Sequence, residues 1–176
     1  MNITIFKETL ADELSVQKII QDAFANEEFS DKNEHNLVNA LRSSSSFIPE
    51  LSLIAKVQNK VVGHILFTRA RVVGQNRTQE ILVLAPLAVS PDYQNNGIGT
   101  SLIHHGLNLA TELGFTAVSV MGHPTYYKKF GFINASVHNI KAPFEIPDEF
   151  FMILELKPLI LNGISGTLQY APEFGC

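Results

Sequence analysis

The feature that most constrains this chain is an apolar strand that leads through a short polar loop into a helix. Residues 81–89 are predicted to form the strand, residues 90–92 the turn, and residues 94–99 the loop that opens onto the helix. A helix start leaves about four backbone N–H groups unpaired and carries roughly half a positive charge. Because Gly97 and Gly99 remove side-chain bulk, this segment predicts a site for a phosphate or pyrophosphate group.

Two familiar glycine-rich phosphate loops do not match this segment. A dinucleotide-binding fingerprint needs a third glycine and normally an acidic residue about twenty positions later, whereas a P-loop needs a following Gly-Lys-Ser or Gly-Lys-Thr. Two glycines on their own are also compatible with an ordinary strand-to-helix turn. The residues therefore support a phosphate-bearing ligand held by backbone N–H groups and leave its identity open.

The wider motif narrows that identity. Gln94-x-x-Gly97-x-Gly99, after a strand ending in Leu-Ala-Val-Ser-Pro, resembles the acetyl-CoA loop of the GNAT superfamily of N-acetyltransferases. That family's loop reads Arg or Gln, two residues, Gly, one residue, and Gly or Ala, and all three positions match. The resemblance implies acetyl-CoA as co-substrate. It implies these cofactor-binding residues: Leu87, Ala88, Val89, Gln94, Asn95, Asn96, Gly97, Ile98, Gly99 and Thr100.

A second motif, Tyr-x-Lys-x-Gly-Phe, begins at Tyr127 and resembles the short fourth helix of many GNAT enzymes. The tyrosine of that helix often lies beside the sulfur of coenzyme A. A neutral phenol with a pKa near 10 can donate a proton to a departing thiolate, so Tyr127 is the expected general acid. Tyr126 is the reserve candidate, and His123 is a weaker one because it precedes the helix. The alternative is that Tyr127 only packs or binds the cofactor.

Helical periodicity predicts the flanking helices. Apolar residues within 16–24 recur at i, i+3, i+4, i+7 and i+8, and Thr9 with Asp12 is a plausible capping pair before them. The helix that starts at Ile98 is expected to stop at Gly114. Its apolar stripe is predicted to contain Leu102, Leu109 and Leu113.

Strand patterns complete the expected fold class. Two β-branched runs, residues 51–57 and 60–73, flank the polar pair Gln58-Asn59 and predict a hairpin. The order of a strand, a helix and a second strand along residues 81–121 implies a right-handed crossover and parallel pairing of strands 4 and 5. We therefore expect an α/β fold with a central, mixed and mostly antiparallel sheet of six or seven strands, flanked by helices. The resemblance implies that strands 4 and 5 splay apart around the cofactor.

Composition restricts the classes of partner and compartment. With 176 residues, 45% of them hydrophobic, the chain is expected to form a single domain over residues 1–176. A net charge of −4 gives no long-range attraction for nucleic acid. No apolar stretch reaches the ~20 residues of a membrane span, so a cytoplasmic protein without a membrane partner is predicted. The only cysteine is Cys176, and His64 has no second ligand at metal spacing, so no metal site is predicted.

The resemblance covers most of the chain and extends to the YhbS-like group within the GNAT superfamily. It implies transfer of an acetyl group from acetyl-CoA to a primary amine of an unidentified small-molecule or peptide acceptor. The amine would attack the thioester directly. Two alternatives stay open: a non-catalytic acyl-CoA-binding or regulatory domain, and an acyltransferase that uses a longer acyl-CoA. A homodimer is also left open.

The general base is the one catalytic group without a candidate. Many GNAT enzymes use a Glu on strand 4, but residues 81–89 contain no acid and the nearest, Glu80, precedes them. At ~3.3 Å per residue, Glu80 would lie roughly 13 Å or more from a reaction centre near Leu84 to Leu87. The sequence therefore predicts that no strand 4 carboxylate takes the amine proton directly.

Overall fold

In the computed structural model, which describes residues 1–176, the chain forms nine strands and four α-helices joined by short 3-10 turns. The helices are α1 (Glu13–Phe24), α2 (Glu34–Arg42), α3 (Ile98–Glu112) and α4 (Pro124–Tyr127). The strands are β1 (Thr4–Lys7), β2 (Phe47–Val57), β3 (Lys60–Val73), β4 (Thr78–Val89), β5 (Ala117–Met121), β6 (Ile133–Asn134), β7 (Ile140–Lys141), β8 (Phe151–Glu155) and β9 (Gly166–Gln169). None of the helices is both long and apolar enough to span a membrane.

The strands pair in the order β1-β2-β3-β4-β5-β8-β6, and β9 pairs with both β3 and β7. β4 and β5 are parallel, with Leu82–Leu84 opposite Val118–Val120, which confirms the predicted parallel pairing. β7 and β9 form a second parallel pair. The mixed α/β fold is therefore confirmed, while the expected six or seven strands was too few. β6 and β7 have two residues each, too short to leave a period-two pattern in the sequence.

The chain divides into two compact units, which are described separately. The first unit contains residues 1–67 and 86–109, and the second contains residues 68–85 and 110–176. β3, β4 and α3 each contribute residues to both units. The single domain expected over residues 1–176 stays a prediction.

Local signals at the N-terminus of the first unit are confirmed. The carboxylate of Asp12 accepts hydrogen bonds from the Thr9 backbone N–H at 3.0 Å and from the Thr9 hydroxyl at 2.7 Å. This capping box starts a 3-10 turn over Leu10–Asp12, which continues directly into α1. The apolar face of α1 is buried through Val16, Ile19 and Ile20.

The β2–β3 hairpin also forms as predicted. Gln58 and Asn59 have φ values of 48° and 64°, the left-handed pair that a two-residue type I′ turn requires. β2 begins at Phe47, four residues before the predicted start at Leu51, and β4 begins at Thr78 rather than Ile81. These strand ends are polar or contain proline, so hydrophobic alternation could not mark them.

The second unit is held by an apolar cluster whose members come from β3, β4, β5, β8 and the C-terminal segment. The cluster includes Val72, Ile81, Val83, Ala117, Ile153, Ile164 and Leu168.

β5 pairs antiparallel with β8 along its full length, from Ala117 to Met121. Pairing between β4 and β5 covers only three residue pairs and stops at Leu84, although β4 continues to Val89. Leu113, predicted to be in the α3 stripe, lies beyond the end of α3 and is 44% exposed.

A buried polar cluster lies in the first unit. The Glu8 side chain is only 4% exposed and its carboxylate pairs with the guanidinium of Arg42. The Ser52 hydroxyl donates to the same carboxylate, and Nε2 of the fully buried His64 lies 3.7 Å from it. His64 Nε2 is also 3.1 Å from the Ser52 hydroxyl. His64 is therefore a packed strand histidine.

These neighbours control the protonation of Glu8. Burial alone would raise the pKa of Glu8, but the imidazole of His64, the guanidinium of Arg42 and the hydroxyl of Ser52 together outweigh it. The pKa of Glu8 falls from 4.5 to about 2. A carboxylate with a depressed pKa in the folded state contributes stability above its unfolded pKa and loses it as pH falls through the folded pKa.

We therefore expect the free energy of unfolding to fall between about pH 4.5 and pH 2, with Glu8 accounting for about 3 kcal/mol of that loss. Glu8→Gln should be less stable than wild type at neutral pH and should show a flatter decline in acid. Denaturant unfolding at a series of pH values measures both. Glu28→Gln, which changes an exposed carboxylate, should keep the wild-type acid decline. Parallel declines in wild type and Glu8→Gln would rule out Glu8 as the cause.

Candidate functional site

The predicted anion loop forms the junction between β4 and α3 in the first unit. A 3-10 turn over Pro91–Tyr93 follows β4, and α3 begins at Ile98. The Ser101 backbone N–H donates to the Gly97 carbonyl at 2.9 Å, which makes Gly97 the residue that precedes the first helical turn. The N–H groups of residues 98–100 come before this first helical bond and therefore have no helical carbonyl partner.

Side chains of the loop bond to its own backbone. Nε2 of Gln94 donates to the Val89 carbonyl at 3.1 Å. Nδ2 of Asn96 donates to the carbonyls of Tyr93 and Gln94, at 3.2 Å and 2.9 Å. These side-chain amides bond to carbonyl oxygens and therefore occupy none of the loop's N–H groups. The N–H groups of Tyr93 and Gln94 donate to the carbonyls of Ser90 and Pro91, so those from residue 95 onward are the candidates for an anion.

Left-handed backbone conformations turn the loop tightly into the helix. Asn95 has φ 61° and Gly97 has φ 79°. No heavy atom lies within 4 Å of the position that a Cβ on Gly97 would occupy, so the space beside this residue is open. Gly97 therefore satisfies both requirements of an anion loop, a left-handed turn and an unobstructed approach.

Gly63 of β3 anchors the start of α3 and is absent from the residues predicted for the site. A Cβ on Gly63 would lie 3.0 Å from both Ile98 Cγ2 and Leu102 Cδ1, and 3.3 Å from the Ala88 carbonyl oxygen. Ile98 is buried at 1% exposure. Gly63 thus lets the first turn of α3 pack closely on the sheet. Its only sequence signal is a lone glycine within a β-branched run, which often marks a close approach of backbone.

The end of β4 has one backbone edge toward β3 and one edge away from it. The Ser90 N–H donates to the Val62 carbonyl of β3 at 2.8 Å. Since peptide groups alternate sides along a strand, those of Ala88 also face β3, whereas those of Leu87 and Val89 point away. The bond from Gln94 to the Val89 carbonyl agrees with this direction. An extended ligand can therefore pair with Leu87 and Val89 but not, on this edge, with Ala88.

A sequence model of the Acetyltransferase (GNAT) family matches residues 14–132 of the chain. The chain belongs to this family. It is 40% identical over 141 residues to the N-acetyltransferase YjhQ of Escherichia coli K12, covering 77% of this chain and 78% of YjhQ. It is 30% identical over 154 residues to the N-acetyltransferase YhbS of the same strain, covering 87% of this chain and 90% of YhbS. The predicted family resemblance is confirmed.

Solved GNAT structures share the fold along the whole chain. Escherichia coli YhbS, crystallised with CoA, superposes with a TM-score of 0.89 at 26% identity, covering 100% of this chain and 93% of that one. A GNAT acetyltransferase from Brucella melitensis, crystallised with acetyl-CoA, gives a TM-score of 0.81 at 27% identity and covers 98% of both chains. The chain is therefore a member of the GNAT acetyltransferase family by sequence and by fold.

In the second unit of this GNAT protein, the Tyr-x-Lys-x-Gly-Phe motif forms a short helical turn. Pro124 is the first residue of α4, and the N–H groups of Tyr126 and Tyr127 donate to the His123 carbonyl at 3.1 Å and 3.2 Å. A left-handed Gly131, with φ 94°, ends the following 3-10 turn and directs Phe132 into the core at 1% exposure.

Tyr127 lies in an aromatic cluster that this turn creates. Its ring meets the rings of Tyr126 and Phe132 edge-on, with centroids 5.1 Å and 5.9 Å away. Burial, and secondarily Tyr126, raises the pKa of Tyr127 well above its ordinary value of 10. The phenol is therefore protonated throughout the neutral range and has a proton to give. His123 is exposed and its ring lies 6.0 Å from that of Phe150.

If the loop is a cofactor site, acetyl-CoA should stabilise the protein while nicotinamide dinucleotides should not. At a concentration a hundred times the dissociation constant, binding adds about 2.7 kcal/mol to the free energy of unfolding. Gly99→Val should abolish the thermal shift, because it puts a branched side chain into the first turn of α3, next to the N–H groups that would bind the pyrophosphate. Asn108→Val, on the exposed side of α3, should keep the shift. If acetyl-CoA does not stabilise the wild-type protein, the assignment of this loop as an acetyl-CoA site is wrong.

Proposed function

We propose that this GNAT protein transfers an acetyl group from acetyl-CoA to a primary amine. The amine nitrogen attacks the thioester carbon, a C–N bond forms, the C–S bond breaks and coenzyme A leaves as a thiolate that takes up a proton. The observation that carries the proposal is the open loop at the start of α3, whose backbone N–H groups precede the first helical bond. Support comes from Escherichia coli YhbS and the Brucella melitensis enzyme, crystallised with CoA and acetyl-CoA.

The loop and the end of β4 would hold the two polar parts of acetyl-CoA. Backbone N–H groups of residues 95–100 would bind the pyrophosphate, helped by the positive end of the α3 dipole. The amide-rich pantetheine arm would pair with the outward edge of Leu87 and Val89. Two groups held in near-attack geometry react far faster than free reactants, so this positioning would supply much of the rate enhancement.

The developing oxyanion needs a hydrogen-bond donor, and two backbone N–H groups are candidates, those of Leu87 and Ala88. The Ala88 group faces β3, because the Ser90 N–H two residues later donates to Val62. The Leu87 N–H points away from β3 and is the better donor. A preorganised backbone donor of this kind is worth a factor of about 10²–10³ in turnover.

Tyr127 would donate the proton that the departing thiolate needs. Its raised pKa keeps the hydroxyl protonated at every pH at which the enzyme would work. Tyr126, the next residue along the same turn, stays the alternative donor. The assignment of the acid rests on the motif and on the protonation of the phenol.

The amine proton has no carboxylate to receive it on the apolar part of β4. Glu80 lies within β4, is exposed and precedes Leu87 by seven residues of the sequence. The proton would leave through ordered water, or the amine would arrive neutral. In the second case the N-terminal α-amines of peptides have an advantage, since at pH 7 about a tenth of them are neutral compared with about one lysine side chain in 2,500.

Two rival functions remain distinct from amine acetylation. A non-catalytic acyl-CoA-binding or regulatory domain would bind acetyl-CoA without releasing free thiol in the presence of any amine. An acyltransferase for longer chains would release thiol faster from a longer acyl-CoA. A panel of amino acids, polyamines, aminoglycosides and lysine peptides, assayed for thiol release, separates all three and identifies the acceptor class. The homodimer and the cytoplasmic location stay predictions.

Loss of the phenolic hydroxyl tests the acid. Tyr127→Phe should lower kcat by about tenfold to a thousandfold, near the usual 10²–10⁴ range for general acids, with little change in acetyl-CoA affinity. Because the pKa of Tyr127 is raised, wild-type kcat should not decline through loss of this proton below about pH 9.5. Wild-type turnover in Tyr127→Phe would make Tyr127 structural, and Tyr126→Phe would be the next variant.

Removing the carboxylate of Glu80 tests whether Glu80 acts as the general base. Glu80→Gln should keep at least about a tenth of wild-type kcat on any acceptor found, and turnover should still rise toward high pH. The rise follows the acceptor's own pKa if the amine must arrive neutral. A loss above about a hundredfold, with disappearance of a titration between about pH 6 and 8, would identify Glu80 as the base.

A further inference from the structure

Gly122, directly after β5, lies against the ring of Tyr127. A Cβ at this position would be 2.4 Å from Tyr127 Cε2, 3.0 Å from Cδ2 and 3.5 Å from Cζ. Real Cβ atoms do not approach another heavy atom this closely. The φ of Gly122 is outside the left-handed region, so the backbone does not require glycine here. What requires glycine is the space that the Tyr127 ring occupies.

The backbone of Gly122 is fixed from the other side. Its N–H donates to the Phe150 carbonyl at 3.0 Å, and the preceding Met121 pairs with Phe151 of β8. Tyr127, in contrast, is the last residue of the four-residue α4 and is held by ring contacts. If a methyl group is added at Gly122, the strand cannot withdraw and the Tyr127 ring must move.

The contact lies on the Cδ2–Cε2 edge of the ring, and Cε2 is the nearer of these two atoms. Cε2 is bonded to Cζ, the carbon that bears the phenolic oxygen, and Cε2 is the atom nearest to the Cβ position. A displacement there moves the hydroxyl group. Since a misplacement of about 1 Å can cost about a hundredfold in rate, the position of this hydroxyl matters if it donates the proton.

We propose that Gly122 is a positioning residue for the general acid: its missing side chain sets where the Tyr127 hydroxyl lies. The inference deepens the proposed function and rests on Tyr127 acting as the proton donor. Gly122 itself touches neither the cofactor nor the acceptor in this scheme. Its effect on turnover must therefore pass through the Tyr127 hydroxyl.

A double-mutant cycle measures that dependence. We expect Gly122→Ala to lower kcat by about tenfold to a hundredfold, with the KM for acetyl-CoA within about threefold of wild type. In a Tyr127→Phe background, the same change should lower kcat by less than about threefold, because the hydroxyl is already absent. A glycine that acted only through stability would show the same effect in both backgrounds.

Gly106 of α3 is a matched control for overpacking a glycine against an aromatic ring. A Cβ on Gly106 would lie 2.3 Å from Phe67 Cε2 and 2.7 Å from Cζ, but this ring carries no hydroxyl. Gly106→Ala should lower the melting temperature at least as much as Gly122→Ala. The kcat of its folded fraction should stay within about threefold of wild type. If Gly122→Ala folds poorly in buffer, the cycle is measured with trimethylamine N-oxide, which favours folded proteins generally.

The outcomes separate the two proposals. If Tyr127→Phe lowers kcat but Gly122→Ala does not, the positioning role of Gly122 is overturned. The same holds if the two losses of kcat multiply in the double variant. In both cases the assignment of Tyr127 as the general acid stands. A Gly106→Ala loss of kcat equal to that of Gly122→Ala would overturn it as well. If Tyr127→Phe turns over like wild type, Tyr127 is not the general acid, and the positioning role of Gly122 is rejected together with it.

Discussion

The first turn of α3 must pack on the sheet while its backbone N–H groups remain free, and the candidate site depends on meeting both conditions at adjacent residues. Ile98 meets the first condition, because its buried side chain packs against Gly63, where a larger residue would collide with it. Exposed Gly97 and Thr100, on either side of that anchor, meet the second. A rigid anchor beside open donors fixes the donors without covering them, and a preorganised donor does not need to reorganise when an anion binds.

Glycine serves two different physical purposes in this protein. At Gly97 and Gly131 the backbone is left-handed, and the residue is glycine because φ is positive. At Gly63 and Gly122 the backbone is ordinary, and the residue is glycine because another group occupies the place of its side chain. A sequence identifies each glycine but does not distinguish these purposes, since the second depends on residues distant in the chain or on how a following turn folds back.

The same distinction explains which features were predictable from the sequence. The Thr9–Asp12 capping box, the Gln58-Asn59 turn and the Gly97 loop form within a few residues, so local patterns reveal them. The two-residue strands β6 and β7 and the exposure of Leu113 depend on distant partners, and local patterns missed or misjudged them. The buried cluster around Glu8 joins residues from four separate segments of the chain, Glu8, Arg42, Ser52 and His64, and no spacing rule connects these. For the candidate site, the loop over residues 94–99 was recognisable because its motif is local in the sequence, whereas Gly63 and Gly122 were not recognisable.

Proton transfer is unequal on the two sides of the proposed reaction. In this proposal Tyr127 would be the donor to the leaving thiolate, and burial keeps its phenol protonated because desolvation disfavours the phenolate. The incoming amine would find no matching carboxylate on β4 from Ile81 onward, because residues 81–89 contain no acid. Raising the pKa of an acid also makes it a weaker donor, so Tyr127 would transfer its proton late, once the thiolate has developed charge. The enzyme would then control the departure of coenzyme A, while the pKa of the acceptor would determine how much amine can attack.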